Sequence, residues 1–159
     1  MAEKLFTQKP TGFLKWALNL PTWLFRARLG FIMGKRFLVI EHRGRKSDKL
    51  YRTVLEVAGR YARNGEFIVT SGTGAKADWY LNLKAGKLDA VWIGSKRHTA
   101  SVRFLEAEEA GSVFRDYETA HPKAAVKLMD QMGVSYDGTD PGRIEMMRRI
   151  PMVSFTPTL

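Results

Sequence analysis

The chain has 159 residues, of which 45% are hydrophobic and 26% charged, values typical of one globular domain and not of a disordered chain. It contains no cysteine, which excludes disulfides, thiolate metal sites and a cysteine nucleophile. The formal net charge of +10 falls entirely in residues 1–63, which hold 14 Lys and Arg against 4 Asp and Glu, whereas residues 64–159 hold 12 of each. A basic half of this kind attracts polyanions such as nucleic acid, anionic lipid or a phosphate-bearing cofactor.

Residues 1–34 form an N-terminal segment that is rich in Leu, Phe and Trp with basic residues between them. Pro21 predicts two short amphipathic helices instead of one long span, and the charges argue against a transmembrane helix. Such a segment suits either an anionic membrane surface or packing on its own domain. No signal peptide is apparent, so we expect a cytoplasmic protein, peripheral on the inner face of the plasma membrane if the segment binds lipid.

From residue 35 onward the pattern becomes that of strands joined by short turns, with few helices between them. This order predicts an α+β domain over residues 35–159, in which a mainly antiparallel barrel carries attached helices. No GxGxxG or Walker motif is present. The predicted strands span residues 36–43, 50–59, 67–72, 88–94, 98–105 and 151–157, and the predicted helices span 77–86, 106–120 and 122–132.

The stretch HRGRKS, residues 42–47, gathers positive charge around one glycine between two predicted strands. A tight turn there presents backbone N–H groups together with Arg45, Lys46 and the Ser47 hydroxyl. Arginine offers a planar fork for a phosphate, and lysine adds a point charge. Basic turns are also common on solvated surfaces, so the stretch taken alone is compatible with a phosphate site or with a solvated turn.

The stretch SGTGAKADWYLNL, residues 71–83, combines the end of a strand, two glycines and a helix that begins near Asp78. Backbone amides before a helix N-terminus form a concavity that suits an anion. The alternative is a glycine-rich connection in which Asp78 caps the helix. Trp79 and Asn82 lie on one helical face, where they suit a flat heterocycle or, equally, core packing and a cap.

Other kinds of site find no support in the sequence. His42, His98 and His121 lack metal-ligand spacing, so no metal is expected. Ser71 has no obvious base, which leaves a hydrolase triad unsupported. The basic and aromatic residues follow no known nucleic-acid-binding signature, so nucleic acid is not an expected partner.

Taken together and in order, GRKS, SGTGAKADWYLNL and the closing PMVSF resemble the deazaflavin-dependent nitroreductase family of actinobacteria, within the flavin/deazaflavin oxidoreductases of split β-barrel fold. The resemblance covers roughly residues 34–157. It implies a split β-barrel that binds coenzyme F-420, an 8-hydroxy-5-deazaflavin with a phospholactyl and polyglutamate tail. FMN is the alternative cofactor, because other split barrels use it.

The resemblance also implies roles for individual residues. Arg45, Lys46 and Ser47 would hold the cofactor phosphate, and the basic half of the chain would attract the anionic tail. Ser71 would lie near the reacting face of the deazaflavin as a catalytic residue. The remaining cofactor-binding positions of the match are Gly72, Trp79 and Asn82.

The chain departs from the family pattern at several places, in the turn after GRKS, in the loop after Ser71 and on the substrate side. Family members often have Gly where this chain has Asp48, and Arg where it has Tyr51. The tyrosine cluster of the prodrug-activating nitroreductases is replaced here by His121, Ala124 and Lys127, so we expect a different substrate pocket. His121 is a candidate catalytic residue that could donate a proton or orient a carbonyl, or else a residue at the start of a helix.

The activity implied by the resemblance is hydride transfer from reduced F-420 to a hydrophobic acceptor: a quinone, enone, nitro compound or lipid-like molecule. One alternative is an FMN-dependent oxidoreductase. Another is a membrane-associated lipid- or fatty-acid-binding protein with little turnover, which Asp48 and Tyr51 at the cofactor turn would favour. An exposed barrel face would allow a homodimer.

Overall fold

The computed structural model describes residues 35–61 and 63–158, so the helices predicted within residues 1–34 lie outside the described residues. The described chain contains seven strands and four helices. The strands are β1 Phe37–Arg43, β2 Leu50–Tyr61, β3 Glu66–Thr70, β4 Leu88–Ile93, β5 Lys96–His98, β6 Ala100–Phe104 and β7 Met152–Pro157. The helices are α1 Asp78–Lys84, α2 Ala107–Ala120, α3 Pro122–Met132 and α4 Asp140–Arg149.

All neighbouring strands are antiparallel, and the sheet runs in the order β5-β4-β1-β2-β3-β7-β6. Its two edge strands, β5 and β6, are separated in the chain only by Thr99. Because the two edges are joined through one residue, the twisted sheet has to curl round on itself. The result is a nearly closed barrel, which confirms the predicted α+β split-barrel class.

Strand β2 is long enough to serve both halves of this barrel. Its first part pairs with β1, and its second part pairs with β3 after a register shift between Val57 and Gly59. Gly59 also lets a helix approach closely, since a Cβ there would lie 2.9 Å from Val113 Cγ1 on α2. The bulge bends the strand, and the glycine seats the helical layer on it.

Two hydrophobic cores lie on the two sides of the sheet. Within the barrel, α1 contributes Tyr80 and Leu83 to a cluster built from strand residues such as Ile40. On the other side, Ile68 of β3 packs with Phe114 of α2, and α3 and α4 join the same cluster. Successive strand residues point to opposite faces, and each fully buried side chain of this size contributes roughly 2 kcal/mol. The cores therefore fix α1 against the barrel and the other three helices outside it.

Two local predictions were wrong. Helix α4 was not predicted, although its start is signalled by Thr139, whose Oγ1 accepts a hydrogen bond from the Gly142 N–H at 3.1 Å, with a proline at the first turn. The strands predicted at residues 88–94 and 98–105 left 95–97 as the hairpin turn between them, but the turn consists of Gly94 and Ser95, and Gly94 has φ 59°. A two-residue turn with a positive φ at glycine matches the strand twist, so the next two residues pair in β5.

Candidate cofactor site

The turn of residues 44–49 joins β1 to β2 and is closed by its own backbone. The Gly44 N–H donates to the Lys49 carbonyl and the Asp48 N–H donates to the Gly44 carbonyl, each at 2.9 Å. A Cβ at residue 44 would lie 2.4 Å from Ser47 Oγ, so only glycine lets the hydroxyl fold over the start of the turn. Asp48 has φ 55°, a conformation that Asp tolerates better than most side chains.

Arg45 is fixed to helix α1 by three hydrogen bonds. Its backbone N–H donates to Asn82 Oδ1 at 3.0 Å, and its guanidinium donates to the same oxygen at 3.1 Å. The guanidinium also donates to Asp78 Oδ1 at 3.0 Å. The turn and the WYLNL helix, two separate stretches of sequence, are thus brought into direct contact by Arg45 and Asn82.

His42 continues this network into the barrel, and the sequence did not single it out as a site residue. The Asn82 side-chain nitrogen lies 3.1 Å from His42 Nδ1, and His42 Nε2 lies 2.9 Å from Thr53 Oγ1. The imidazole is 3% exposed and stacks on the Tyr51 ring at 5.8 Å between centroids. Burial in this position lowers the pKa of His42, which favours the neutral imidazole.

The acidic residue in the turn is compensated by two cations. Asp48 Oδ1 accepts from Lys87 Nζ at 3.1 Å, and Asp48 Oδ2 lies 4.0 Å from the guanidinium of Arg43, which also binds Asp89 at 3.0 Å. Lys46 is exposed and forms no ion pair within the described residues. The turn therefore presents net positive charge to solvent in spite of Asp48.

The loop after β3 holds Ser71 in the protein interior. Ser71 is fully buried, and its hydroxyl donates to the Gly74 carbonyl at 2.6 Å while its N–H donates to the Pro151 carbonyl at 2.9 Å. Gly72, next to it, borders α3, because a Cβ there would lie 3.4 Å from Met132 Cε. These contacts give the Ser71 hydroxyl a partner within its own loop.

Trp79 is partly buried and packs against the barrel core. Its ring meets that of Tyr80 edge to face, with centroids 5.9 Å apart. Asn82, three residues further along α1, is 2% exposed and forms hydrogen bonds with Arg45 and with His42. The two predicted groove residues of α1 are therefore held by different surroundings, an apolar core and a polar network.

His121 lies at the junction of α2 and α3 and is exposed. Its ring is 5.5 Å from that of Tyr117, and both line a cavity of about 220 Å³ that also borders the distal end of β2. Met132, which touches Gly72, stands at the other end of α3, about 16 Å away at 1.5 Å per residue. The two predicted catalytic residues, Ser71 and His121, thus lie near opposite ends of this helix.

Comparison with known proteins identifies the family. A sequence profile described as F-420-H(2)-dependent quinone reductase matches residues 25–135. The chain belongs to this family. As a member of the quinone reductase family it is an oxidoreductase and uses coenzyme F-420. This confirms the expected deazaflavin-dependent, split-barrel relationship and the expected cofactor.

Several solved structures have a fold similar to that of this member of the quinone reductase family. An F-420-H2-dependent reductase (FDR-A) is 23% identical with TM-score 0.50, covering 77% of this chain and 95% of its own. A domain-swapped dimer is 21% identical with TM-score 0.51, covering 85% and 98%. A pyridoxamine 5′-phosphate oxidase-related, FMN-binding protein from Nostoc punctiforme is 9% identical with TM-score 0.51, covering 92% and 81%. A search of the curated proteins finds no match.

None of the helices in residues 35–61 and 63–158 is long and apolar enough to cross a membrane.

Proposed function

We propose that this reductase transfers a hydride from reduced F-420 to a hydrophobic acceptor of the quinone class, and that the turn of residues 44–49 holds the cofactor phosphate. The observation that carries the site assignment is the fixed position of Arg45, whose backbone and guanidinium are both tied to α1. Because its fork is held in place before binding, less side-chain entropy is lost when an anion docks.

The groups in the turn fit a phosphodiester. Arg45 supplies the guanidinium N–H donors other than those of Nη1, which binds Asp78 and Asn82. Lys46 supplies an exposed ammonium with no ion pair within the described residues, and Ser47 a hydroxyl folded over Gly44. The negative charge of Asp48 is balanced by its neighbours, so it does not oppose the ligand at short range. When bound, the cofactor supplies the hydride, and the chain supplies orientation and electrostatics.

The other predicted site residues receive narrower proposed roles. We propose that Ser71 shapes the loop that approaches the reacting end of the cofactor through its hydrogen bond to Gly74. Gly72 would let the cofactor pass beside α3, and Trp79 would border the groove from α1. His121 would act on the acceptor only if the acceptor reaches the cavity at the far end of α3.

The site assignment is tested by titrating F-420 into three proteins. The first is the unmodified chain, and the second is the double variant Arg45→Ala/Lys46→Ala. The third is Arg115→Ala/Lys123→Ala, which removes the same two charges from exposed positions on the helical layer. We expect the turn variant to lose at least about 30-fold in affinity, on the scale of two charge-assisted hydrogen bonds, and the control to lose less than about threefold. Equal losses of F-420 affinity in the two double variants would show that the turn contributes only general electrostatic attraction.

The same titrations separate the rival functions. FMN is titrated in parallel, and tighter binding of FMN than of F-420 would favour an FMN-dependent enzyme. A lipid-binding protein with little turnover would bind a fatty acid and leave reduced F-420 unoxidised in the presence of quinone, enone and nitro acceptors. Preference for one acceptor among these three identifies the substrate class.

Membrane association and self-association are separate proposals. We propose that residues 1–34 bring the protein to an anionic membrane surface on the cytoplasmic side, because they combine aromatic and basic residues. Deleting residues 1–30 should reduce sedimentation with anionic liposomes and leave F-420 affinity within about twofold; equal sedimentation of both forms removes the idea. A homodimer is proposed from the similarity to a barrel solved as a domain-swapped dimer, and light scattering after gel filtration measures it.

A further inference from the structure

We propose that His42 is a positioning residue for the cofactor turn: in its neutral form, protonated on Nε2, it orients the Asn82 amide that holds Arg45, and its protonation releases that hold. The proposal rests on the proposed phosphate site for its effect on cofactor affinity. Its structural part, the state of the imidazole, stands on the hydrogen bonds alone.

The orientation of the Asn82 amide follows from its partners. Arg45 directs two groups toward the Asn82 amide, its backbone N–H and a guanidinium N–H. Both are donors, so the Asn82 atom that faces them is the carbonyl oxygen. The Asn82 –NH₂ therefore faces His42 Nδ1 at 3.1 Å. An –NH₂ can only donate, so Nδ1 has to be the unprotonated acceptor.

The tautomer of His42 follows in turn. With Nδ1 unprotonated, the neutral ring carries its proton on Nε2, which donates to Thr53 Oγ1 at 2.9 Å. The imidazole is thus held from both sides and is almost completely buried. One chain of hydrogen bonds runs from β2 through His42 and Asn82 to the backbone of Arg45.

Adding a second proton breaks this chain at a defined point. An imidazolium would set its Nδ1–H against the Asn82 –NH₂, donor against donor. Asn82 can relieve the conflict only by turning its oxygen toward His42, which removes the acceptor from Arg45. The groups around the ring divide over this change. Burial opposes the imidazolium, as does the positive charge of Arg45, which is bonded to the same Asn82 amide. The carboxylates of Asp78 and Asp89 and the face of the stacked Tyr51 ring favour it.

A matched pair of substitutions isolates the acceptor atom. In His42→Asn the side-chain oxygen falls near the position of Nδ1, and in His42→Gln it falls near the position of Nε2. We expect His42→Asn to keep F-420 affinity within about twofold, and His42→Gln to weaken it roughly fivefold, the value of one net hydrogen bond of about 1 kcal/mol. Equal affinities of the two variants would overturn the proposal.

The pH dependence gives a second readout that a purely structural role would not produce. Between pH 7.5 and the pH at which the NMR titration shows the His42 imidazole protonated, the F-420 affinity of the unmodified protein should fall up to roughly fivefold more than that of His42→Asn, which has no group to protonate at this position. Comparing the two cancels any titration of the cofactor itself. Parallel pH profiles would contradict the switch.

Nitrogen NMR of the unmodified protein tests the structural part without any cofactor. At pH 7.5 the His42 ring should show a protonated Nε2 and an unprotonated Nδ1, with a pKa below 6.5. A proton on Nδ1 would overturn the proposal even if the variants bind weakly. If the tautomer is as expected but Arg45→Ala/Lys46→Ala binds F-420 normally, the phosphate site has failed and the His42 network has not.

Discussion

Replacing Gly44 should damage the turn of residues 44–49, the proposed phosphate site, through a single defined clash. In Gly44→Ala the new Cβ would lie 2.4 Å from Ser47 Oγ and 3.1 Å from Tyr51 Cε2, the first about 1 Å inside ordinary contact. The least costly relief is rotation of the Ser47 hydroxyl away from the turn, together with a small shift of the Tyr51 ring. We expect a loss of about 1.5 kcal/mol of stability, the usual range for added volume at a packed site, or roughly 5 °C in Tm for a chain of this length.

A double-mutant cycle measures how much of this cost comes from Ser47. Removing the hydroxyl in Ser47→Ala leaves the added methyl 3.7 Å from the remaining Cβ, an ordinary contact. Gly44→Ala should therefore cost at least about 1 kcal/mol less in the Ser47→Ala background, measured by urea unfolding. Gly72→Ala is the control, because the three atoms nearest to its Cβ all belong to the flexible Met132 side chain, the first at 3.4 Å. Equal costs in the two backgrounds would refute the clash as the reason for glycine.

Two further substitutions test buried polar groups elsewhere in the barrel. Glu41 is 3% exposed; burial opposes its ionisation, but hydrogen bonds from Arg97 and Arg52 outweigh burial and lower the pKa of its carboxyl below 4.5. The unfolded chain then binds the proton more readily than the folded chain, so the stability contributed by Glu41 is present above pH 4.5 and is lost as pH falls. In urea unfolding, stability should therefore decline more steeply from pH 5 to 3 in the unmodified protein than in Glu41→Gln. Ser71→Ala removes the buried hydrogen bond to Gly74 and should cost about 1 kcal/mol in the same assay. Unchanged stability with abolished turnover would instead assign the Ser71 hydroxyl to the reaction.

Much of the barrel could be predicted because its strands follow simple patterns. Residues 36–43 and 50–59 surround a basic turn, and the observed β1 and β2 have nearly these bounds. The apolar run of β3 reflects burial on both faces, since Phe67 and Ile68 enter different cores. The turn motif and the WYLNL helix were each visible in the sequence, and the family resemblance joined them.

The contacts that assemble the site could not be predicted in the same way. Asn82 and Arg45 are 37 positions apart, and no local pattern states that they touch. Alternation along β1 puts His42 on the same face as Leu38 and Ile40, so its burial was readable, but its partner Asn82 lies 40 positions away. Such long-range polar pairs depend on how the barrel closes. The alternation of side chains along a strand shows which face a residue lies on, but not which distant residue it meets.

Turnover with and without the proposed phosphate turn tests the central claim most directly. Reduced F-420 is mixed with a soluble naphthoquinone under anaerobic conditions, and reoxidation is followed by absorbance with the unmodified protein, with Arg45→Ala/Lys46→Ala and with Arg115→Ala/Lys123→Ala. At cofactor concentrations below saturation, we expect fast reoxidation with the first and third proteins and at least about a 30-fold slower rate with the second. Equal rates with all three proteins, or no protein-dependent reoxidation although F-420 binds, would contradict the account.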